Sequence, residues 1–149
     1  MSEIRPYIGY DDITFDMTLS EVKALLRQKK QRFRHDHWPN KGCDPEVPWD
    51  IIRIDNSIHI FFAKDKMWKI EFDNDFTGKL WNGIALGTTM QEALKIDPTL
   101  KYNDWEEDYA SDLGYWLEDE LDNRTVISIV IFIKEAEDDD VFYSYKWCE

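Results

Sequence analysis

Residues 13–21 and 84–92 decide the fold, and they read ITFDMTLSE and IALGTTMQE. Each contains Thr-x-x-Glu ahead of an apolar run, with Thr18 of the first stretch corresponding to Thr89 of the second. This is the capping-box pattern of a helix N-terminus, in which the Thr hydroxyl accepts an orphan N–H and the Glu reaches back to the cap. Apolar residues follow at helical spacing in both copies. The sequence therefore predicts, twice, an extended segment followed by a short helix.

A second internal similarity predicts strands. Residues 49–56, WDIIRIDN, align with residues 116–123, WLEDELDN, and Asp-Asn between apolar runs indicates a turn. The first copy continues with alternating apolar residues at Ile58, Ile60 and Phe62. The second continues with a nearly all-apolar run, which is typical of a central strand covered on both faces. A third strand is predicted in each half, at 67–72 and 141–147.

These two patterns predict an α+β fold. It consists of two tandem helix–three-strand repeats, approximately residues 10–76 and 80–148, within a single domain of residues 1–149. We expect the repeats to form one antiparallel sheet with the helices on one face, since half a sheet of this size would be marginally stable alone.

The segment from 103 to 121 fits two patterns. Trp105, Tyr109, Leu113 and Trp116 fall at helical spacing, whereas Tyr115, Leu117 and Leu121 fit the alternation of a strand. The internal similarity favours a strand at 116–121, and a short helix at 104–113 is compatible with it.

Composition bounds the class of protein. The chain has 149 residues, a formal net charge of −13, 43% hydrophobic residues and 15% aromatic residues, which is too much apolar material for intrinsic disorder. The acidic surface should repel phosphate backbones, so we expect no direct nucleic-acid binding. The N-terminus shows no secretory signal and no apolar run is long enough to cross a membrane, so we expect a cytoplasmic protein without membrane contact.

Catalytic and metal-binding patterns are absent from the sequence. It has neither a Gly-rich phosphate loop nor G-x-S-x-G. Cys43 lies near His35 and His37, but nothing orients a base toward the thiol. We expect these histidines to be solvated loop residues rather than metal ligands, and Cys43 and Cys148 to be free thiols, with a disulfide between them left open. The sequence therefore predicts no enzyme, no cofactor and no metal site.

The excess negative charge lies in the second half of the chain. Residues 1–75 carry a net charge of −2 and residues 76–149 a net charge of −11. Between Tyr102 and Asn123 there are nine acidic residues and no Lys or Arg, with aromatic residues interleaved. Charge would steer a basic partner and aromatic rings would anchor it, although such a run is also typical of a solvated face. The candidate partner-binding residues are Asp104, Trp105, Glu106, Glu107, Asp108, Tyr109, Asp112, Tyr115, Trp116, Glu118, Asp119 and Glu120.

Residues 23–34 form the opposite pole, with six basic residues and no acidic one. A solvated helix face running into a basic loop explains this segment. The alternative is a head-to-tail homodimer, in which this basic segment of one copy contacts the acidic half of the other, although we favour a monomer.

The extended I-x-[FL] segment, the Thr-x-x-Glu helix and the Trp-bearing meander resemble two related groups. These are the small lipoproteins of outer-membrane assembly and the β-lactamase inhibitory protein family, in which such a unit is duplicated. The chain lacks the lipobox of the first group and the paired disulfide cysteines of the second.

Small size, acidity and aromatic richness also resemble the immunity proteins of bacterial toxin systems, including contact-dependent growth inhibition. That resemblance implies binding and neutralising a cognate toxin domain, and it transfers no particular residue. A basic, nucleic-acid-targeting toxin would suit the acidic segment. The alternative is a non-catalytic interaction or adaptor module of the same fold.

Overall fold

The computed structural model describes residues 3–41 and 47–137. Within these ranges the chain forms two α-helices, twelve strands and a 3-10 helix. In chain order they are β1 (Glu3–Arg5), β2 (Gly9–Tyr10), β3 (Ile13–Thr14), α1 (Leu19–Gln28), β4 (Arg34–Lys41), β5 (Val47–Ile54), β6 (Ile58–Ala63), β7 (Lys66–Asp73), β8 (Lys79–Leu80), α2 (Met90–Ile96), β9 (Lys101–Asn103), β10 (Asp108–Ala110), β11 (Tyr115–Asp119), β12 (Val126–Phe132) and the 3-10 helix (Lys134–Ala136). The α+β class is confirmed.

Both helices begin where the sequence predicts. The Thr18 hydroxyl accepts from the Glu21 N–H at 3.2 Å, and the Glu21 carboxylate accepts from the Thr18 N–H at 3.0 Å, which completes a capping box. The Thr89 hydroxyl accepts from the Glu92 N–H at 3.1 Å. These bonds satisfy helix N–H groups that have no partner within the helix, so they fix the first residue of each helix.

Eight antiparallel strands form the main sheet, in the order β4-β5-β6-β7-β12-β11-β10-β9. β12 has β7 and β11 as its two neighbours, which confirms the predicted central strand. One row of side chains crosses five strands on the same face, and all its members are fully buried. They are Ile52, Ile60, Ile70, Ile131 and Tyr115. The buried residues of α1 and α2 join the same core.

The expectation of a single sheet is wrong. Four short strands form a second sheet in the order β3-β2-β1-β8, which joins residues from both halves of the chain. β1 and β8 are parallel, with Ile4 opposite Leu80 and both side chains fully buried. Of the four strands, only β3 falls in a segment that the sequence predicts to be extended, and neither β1 nor β8 is predicted.

The third strand expected in the second half, residues 141–147, lies outside the described residues. The two-repeat arrangement therefore stays a prediction, but in the described residues each helix is followed by four strands of the main sheet rather than by the three expected. The predicted strand at 116–121 corresponds to β11, which pairs with β12 as expected.

Candidate protein-interaction surface

Residues 101–110 form a β-hairpin, which we call the acidic hairpin. The helix considered for 104–113 is wrong, because Asn103 organises a turn instead. Its side-chain oxygen accepts from the N–H groups of Trp105 at 3.0 Å and Glu106 at 3.2 Å, and its backbone carbonyl accepts from the Glu107 N–H at 2.8 Å. Glu107 adopts a left-handed backbone with φ of 56°. Asn side chains compete with helical hydrogen bonds in this way and favour turns.

Trp105 lies at the tip of the acidic hairpin, and 90% of its surface is exposed. Asp104, Glu106 and Glu107 are exposed beside it. Trp is enriched at the energetic centres of interfaces, because it buries a large, rigid apolar area when a partner covers it. The turn therefore presents an exposed aromatic side chain in the same four residues as three exposed carboxylates.

The other aromatic candidates are held by the fold. Tyr109 is half-buried, with its ring 5.1 Å from that of Tyr102 in an edge-on contact. Trp116 is half-buried at 4.4 Å from the ring of Phe132. Tyr115 is fully buried, and its hydroxyl donates to Asp97 at 2.5 Å. Since Tyr115 has no exposed surface, it does not belong to the candidate surface.

The remaining acidic candidates divide by position. Asp119 is buried and forms an ion pair with Arg124 at 3.0 Å, so it also does not belong to the candidate surface. The carboxylate of Glu120 accepts backbone N–H groups in the turn that leads to β12. Asp112 is exposed at the end of β10 away from the tip. Glu118 is exposed on β11, beside Asp108.

Asp108 and Glu118 repel each other. Burial raises the pKa of Asp108 to about 6, with further contributions from the charges of Glu106 and Glu118. Burial also raises the pKa of Glu118, together with the charges of Glu71, Asp119, Asp73 and Glu107. Among the residues the structure describes, neither side chain has an ion-pair partner within 4.0 Å. A cation brought by a partner would therefore relieve repulsion that the folded chain leaves in place.

The acidic surface extends beyond the predicted segment. Across the sheet, Glu118 lies opposite Ser128 and Ser128 lies opposite Asp73. A cleft of about 680 Å³ opens at this point, with the carboxylates of Glu71, Asp73, Asp75 and Glu118 in its wall. Alternation along β7 indicates that Glu71 and Asp73 share a face, but only the pairing of β7 with β12 brings them to Glu118. The sequence does not reveal that non-local pairing.

A chain of hydrogen bonds holds Asp73 in place. Arg53 Nε donates to Asp36 at 2.7 Å, and an Arg53 Nη donates to His59 Nδ1 at 2.8 Å. His59 Nε2 lies 2.9 Å from Asp73 Oδ1. Because arginine only donates, Nδ1 of His59 is the acceptor. Nε2 therefore carries the ring proton and donates a hydrogen bond to Asp73. The buried imidazole thus fixes one wall of the acidic cleft.

His35 and His37 are strand residues, so the expectation of loop histidines is wrong. β4 pairs with β5, and alternation places both rings on the same side, where His35 Nε2 and His37 Nδ1 lie 2.8 and 2.9 Å from Asp50 Oδ1. Within residues 3–41 and 47–137, no group of three or more His, Cys, Asp or Glu side chains is arranged to hold a metal ion. The candidate thiols Cys43 and Cys148 lie outside the described residues.

The basic segment is partly neutralised within the fold. Lys29 pairs with Asp12 at 2.7 Å and with Asp11 at 3.3 Å, and the guanidinium of Arg34 lies 3.1 Å from Asp36. This reduces the charge that the segment presents to a second copy of the chain.

A separate apolar patch lies near the small sheet. Ile8, Trp81 and Leu113 are 54%, 41% and 45% exposed, and with Pro6 they line a shallow groove of about 370 Å³. No aromatic residue of 104–120 lines this groove. It is a second exposed apolar feature of the described surface.

No helix in the described part of the chain is long and apolar enough to cross a membrane. The chain matches no protein-family model, no curated protein and no solved structure.

Proposed function

We propose that this protein is a cytoplasmic immunity protein that binds and neutralises a basic toxin domain of a bacterial competitor, without catalysis of its own. The observation that carries the proposal is the acidic hairpin, which exposes Trp105 among exposed carboxylates that form no ion pair with another residue of 3–41 or 47–137. Toxins that act on nucleic acids must bind phosphate, and their clefts are therefore basic. An acidic, Trp-bearing tip complements such a cleft in charge and supplies an apolar anchor.

The contact surface consists of Asp104, Trp105, Glu106, Glu107, Asp108 and Glu118, with Asp73 and Glu71 continuing it across the sheet. The hydrogen bonds that the Asn103 side chain accepts from the Trp105 and Glu106 N–H groups pre-form the turn at the hairpin tip. Little ordering of the backbone is therefore required on binding, which lowers the entropic cost of association.

Duplication of a unit made of one helix and an antiparallel meander, with both helices on one face of the sheet, is part of the same proposal, and four described strands of the main sheet follow each helix. Two observations support it. Both helices begin at a Thr that caps the residue three positions later, and Asp55-Asn56 and Asp122-Asn123 both fall between paired neighbouring strands. The second observation matches the predicted alignment of residues 49–56 with 116–123.

The test is co-purification with a cognate toxin. The proposal expects the gene of a large secreted protein to lie beside the gene of this protein. The protein is expressed with the C-terminal domain of that neighbour, and the pair is isolated through a tag on the toxin. We expect a stable complex that Trp105→Ala weakens by roughly a hundredfold, since an anchoring Trp contributes about 2–4 kcal/mol. The matched control is Trp81→Ala, which removes an exposed Trp away from the hairpin. Failure to form any complex contradicts the proposal.

The apolar groove of Ile8, Trp81 and Leu113 favours a second function, that of an adaptor module. An exposed apolar patch separate from the acidic hairpin would let the protein join two partners. In that case Trp81→Ala, and not Trp105→Ala, would remove an ordinary cellular partner from the purified complex.

A further inference from the structure

A small pocket lies where β4 begins and β5 ends, and three arginines line it. These are Arg32, Arg34 and Arg53, and the rest of the wall consists of Phe33, Asp55 and Asn56. The pocket has a volume of about 190 Å³, which is below the usual range for a whole small molecule and suits a single functional group. Guanidinium groups bind the oxygens of carboxylates and phosphates through paired N–H groups. The wall therefore carries the donors that an oxyanion requires.

The fold places two of these arginines directly opposite each other. Arg34 and Arg53 are cross-strand partners in the pairing of β4 with β5, and like charges in that position repel. One carboxylate serves both, because Asp36 accepts from Arg53 Nε at 2.7 Å and from Arg34 Nε at 3.1 Å. These hydrogen bonds, with that from Arg53 the stronger, hold the pKa of Asp36 below its usual value. Asp36 is therefore charged at neutral pH, but it neutralises only one of the two arginines.

The guanidinium of Arg53 is held in place before any ligand arrives. Its Nη1 donates to Nδ1 of the buried His59 at 2.8 Å, and its side chain is 18% exposed. Its Nη2 has no hydrogen-bond partner among residues 3–41 and 47–137, and the same is true of Nη1 of Arg34. These N–H groups are the donors left for a ligand. A fixed guanidinium loses little freedom when it binds, which favours affinity.

Positive charge exceeds negative charge around the pocket. Arg32 is exposed and forms no ion pair within the described ranges. The guanidinium of Arg27, on α1, lies 5.7 Å from the centroid of the Phe33 ring in the wall. Asp55 is the single acidic residue of the wall. With Asp36 included, four guanidinium groups are thus balanced by two carboxylates.

We propose that this pocket binds one phosphate group, either free or carried by a small molecule. The inference goes beyond the proposed function and does not depend on it. Three guanidinium groups with unused N–H groups match the several oxygens of a phosphate, whereas the carboxylate of Asp36 already lies between Arg34 and Arg53. A single group is the occupant because a long polyanion would extend over a surface whose formal net charge is −13. Over distances beyond about 10 Å, salt screens that charge from a small ion in the pocket.

The test is a titration of the full chain with inorganic phosphate at constant ionic strength, followed by the NMR signals of the arginine Nε–H groups. We expect the signals of Arg34 and Arg53 to follow one saturation curve, and that of Arg5 to stay unchanged. Acetate is the carboxylate probe and should bind at least roughly fivefold more weakly than phosphate. A parallel titration with O-phosphoserine distinguishes the two sources, since the tighter of the two phosphate probes identifies a free or a carried group.

Exposed arginines of the pocket allow variants that leave the fold intact. Arg32→Gln and Arg34→Gln should each weaken phosphate binding roughly fivefold to tenfold, because each removes charge-assisted hydrogen bonds. Arg5→Gln is the matched control, since Arg5 lies outside the pocket and its side chain is 61% exposed against 64% for Arg34. Asp55→Asn removes a negative charge from the wall and should tighten binding at least roughly twofold.

Absence of a saturable shift at Arg34 and Arg53 would overturn the phosphate site. Equal weakening by Arg5→Gln and Arg34→Gln would overturn it too, because binding would then respond to the net charge of the chain and not to this pocket. Acetate that binds as tightly as phosphate would overturn phosphate as the ligand and assign the pocket to a carboxylate.

Discussion

Asp108 and Glu118 lie side by side on β10 and β11, and the charge of Glu118 helps to raise the pKa of Asp108. Burial is the larger cause of the shift at Asp108, which reaches a pKa of about 6 against an ordinary value of 3.8. The folded state therefore holds a proton that the unfolded state has already lost between about pH 4 and pH 6. The free energy of unfolding should fall as pH rises through this window.

Asp108→Asn removes the free-energy cost of ionising this half-buried carboxyl in the folded state. We expect the variant to be more stable than the wild type at pH 7 by about 1 kcal/mol, after allowance for solvent screening of a partly exposed group. The difference should vanish below about pH 4, where the wild-type carboxyl is protonated in both states. Urea unfolding at several pH values measures it, and Asp112→Asn is the control, expected to change stability by under about 0.5 kcal/mol. A stability loss in Asp108→Asn at pH 7 would show that the charge is stabilising instead.

Asp97 contributes to the free energy of unfolding with a pH dependence opposite to that of Asp108. Although burial alone would raise its pKa, hydrogen bonds from Ser111, Thr99 and Tyr115 hold the pKa of Asp97 below its usual value. Its carboxylate, 2% exposed, accepts from Tyr115 Oη and Ser111 Oγ at 2.5 Å each. This stabilisation is present above the unfolded pKa and is lost as pH falls through the lower folded pKa, so it should weaken below about pH 4.

Asp97→Ala should therefore lower the free energy of unfolding by about 3 kcal/mol, because it leaves buried hydroxyls without an acceptor. Asp97→Asn keeps one oxygen and should cost about 1–2 kcal/mol. Denaturant unfolding at pH 7 checks both values. Equal losses in the two variants would mean that the oxygen retained by asparagine does not stabilise the fold as a hydrogen-bond acceptor for the buried hydroxyls.

The two helix caps give a paired prediction. Thr18→Ala and Thr89→Ala should each lower the free energy of unfolding by about 1 kcal/mol, since each removes the acceptor for a helix N–H. Thr18→Ser and Thr89→Ser keep the hydroxyl and should be within about 0.5 kcal/mol of the wild type. Alanine variants as stable as the serine variants would show that the caps do not hold these helices.

His59 gives a test of the buried polar chain. His59→Ala removes the acceptor of Arg53 and the donor to Asp73, so it should lower the free energy of unfolding by about 2–3 kcal/mol. His37→Ala is the matched control, because His37 is bonded to Asp50 but its side chain is 56% exposed. Thermal or urea unfolding compares them, and similar losses at both positions would contradict the assigned role of His59.

The sequence predicts those parts of the fold that depend on neighbouring residues. The helix starts at Thr18 and Thr89 follow from local spacing and the strand containing Leu117 follows from the internal similarity, and the structure contains all three. It does not predict which strands meet, because Ile131 opposite Ile70 is a pairing between distant parts of the chain. The second sheet and the acidic cleft both arise from such pairings.

The candidate surface is likewise predicted only where it depends on neighbouring residues. Acidity and aromatic content single out residues 104–120, but they do not separate Trp105, at a hairpin tip, from Tyr115, in the core. Tyr115 is buried because Asp97, in a different part of the chain, supplies an acceptor for its hydroxyl. The closeness of Pro39 favours a loop at His35 when only the sequence is considered. β4 nevertheless tolerates this proline, since it is an edge strand of the described sheet.

The proposed function depends on one step, in which the acidic hairpin steers a basic partner to Trp105. The most direct test is the association rate with the cognate toxin domain, measured at several ionic strengths for the wild type and for the triple variant Glu106→Lys, Glu107→Lys, Asp108→Lys. A control variant with the same change of net charge carries Glu3→Lys, Asp16→Lys and Glu135→Lys.

We expect the hairpin variant to associate at least about tenfold more slowly at low ionic strength, with the difference shrinking as salt is added, and the control to remain near the wild type. Equal rates for the hairpin variant and the wild type at every ionic strength would contradict electrostatic steering by this hairpin.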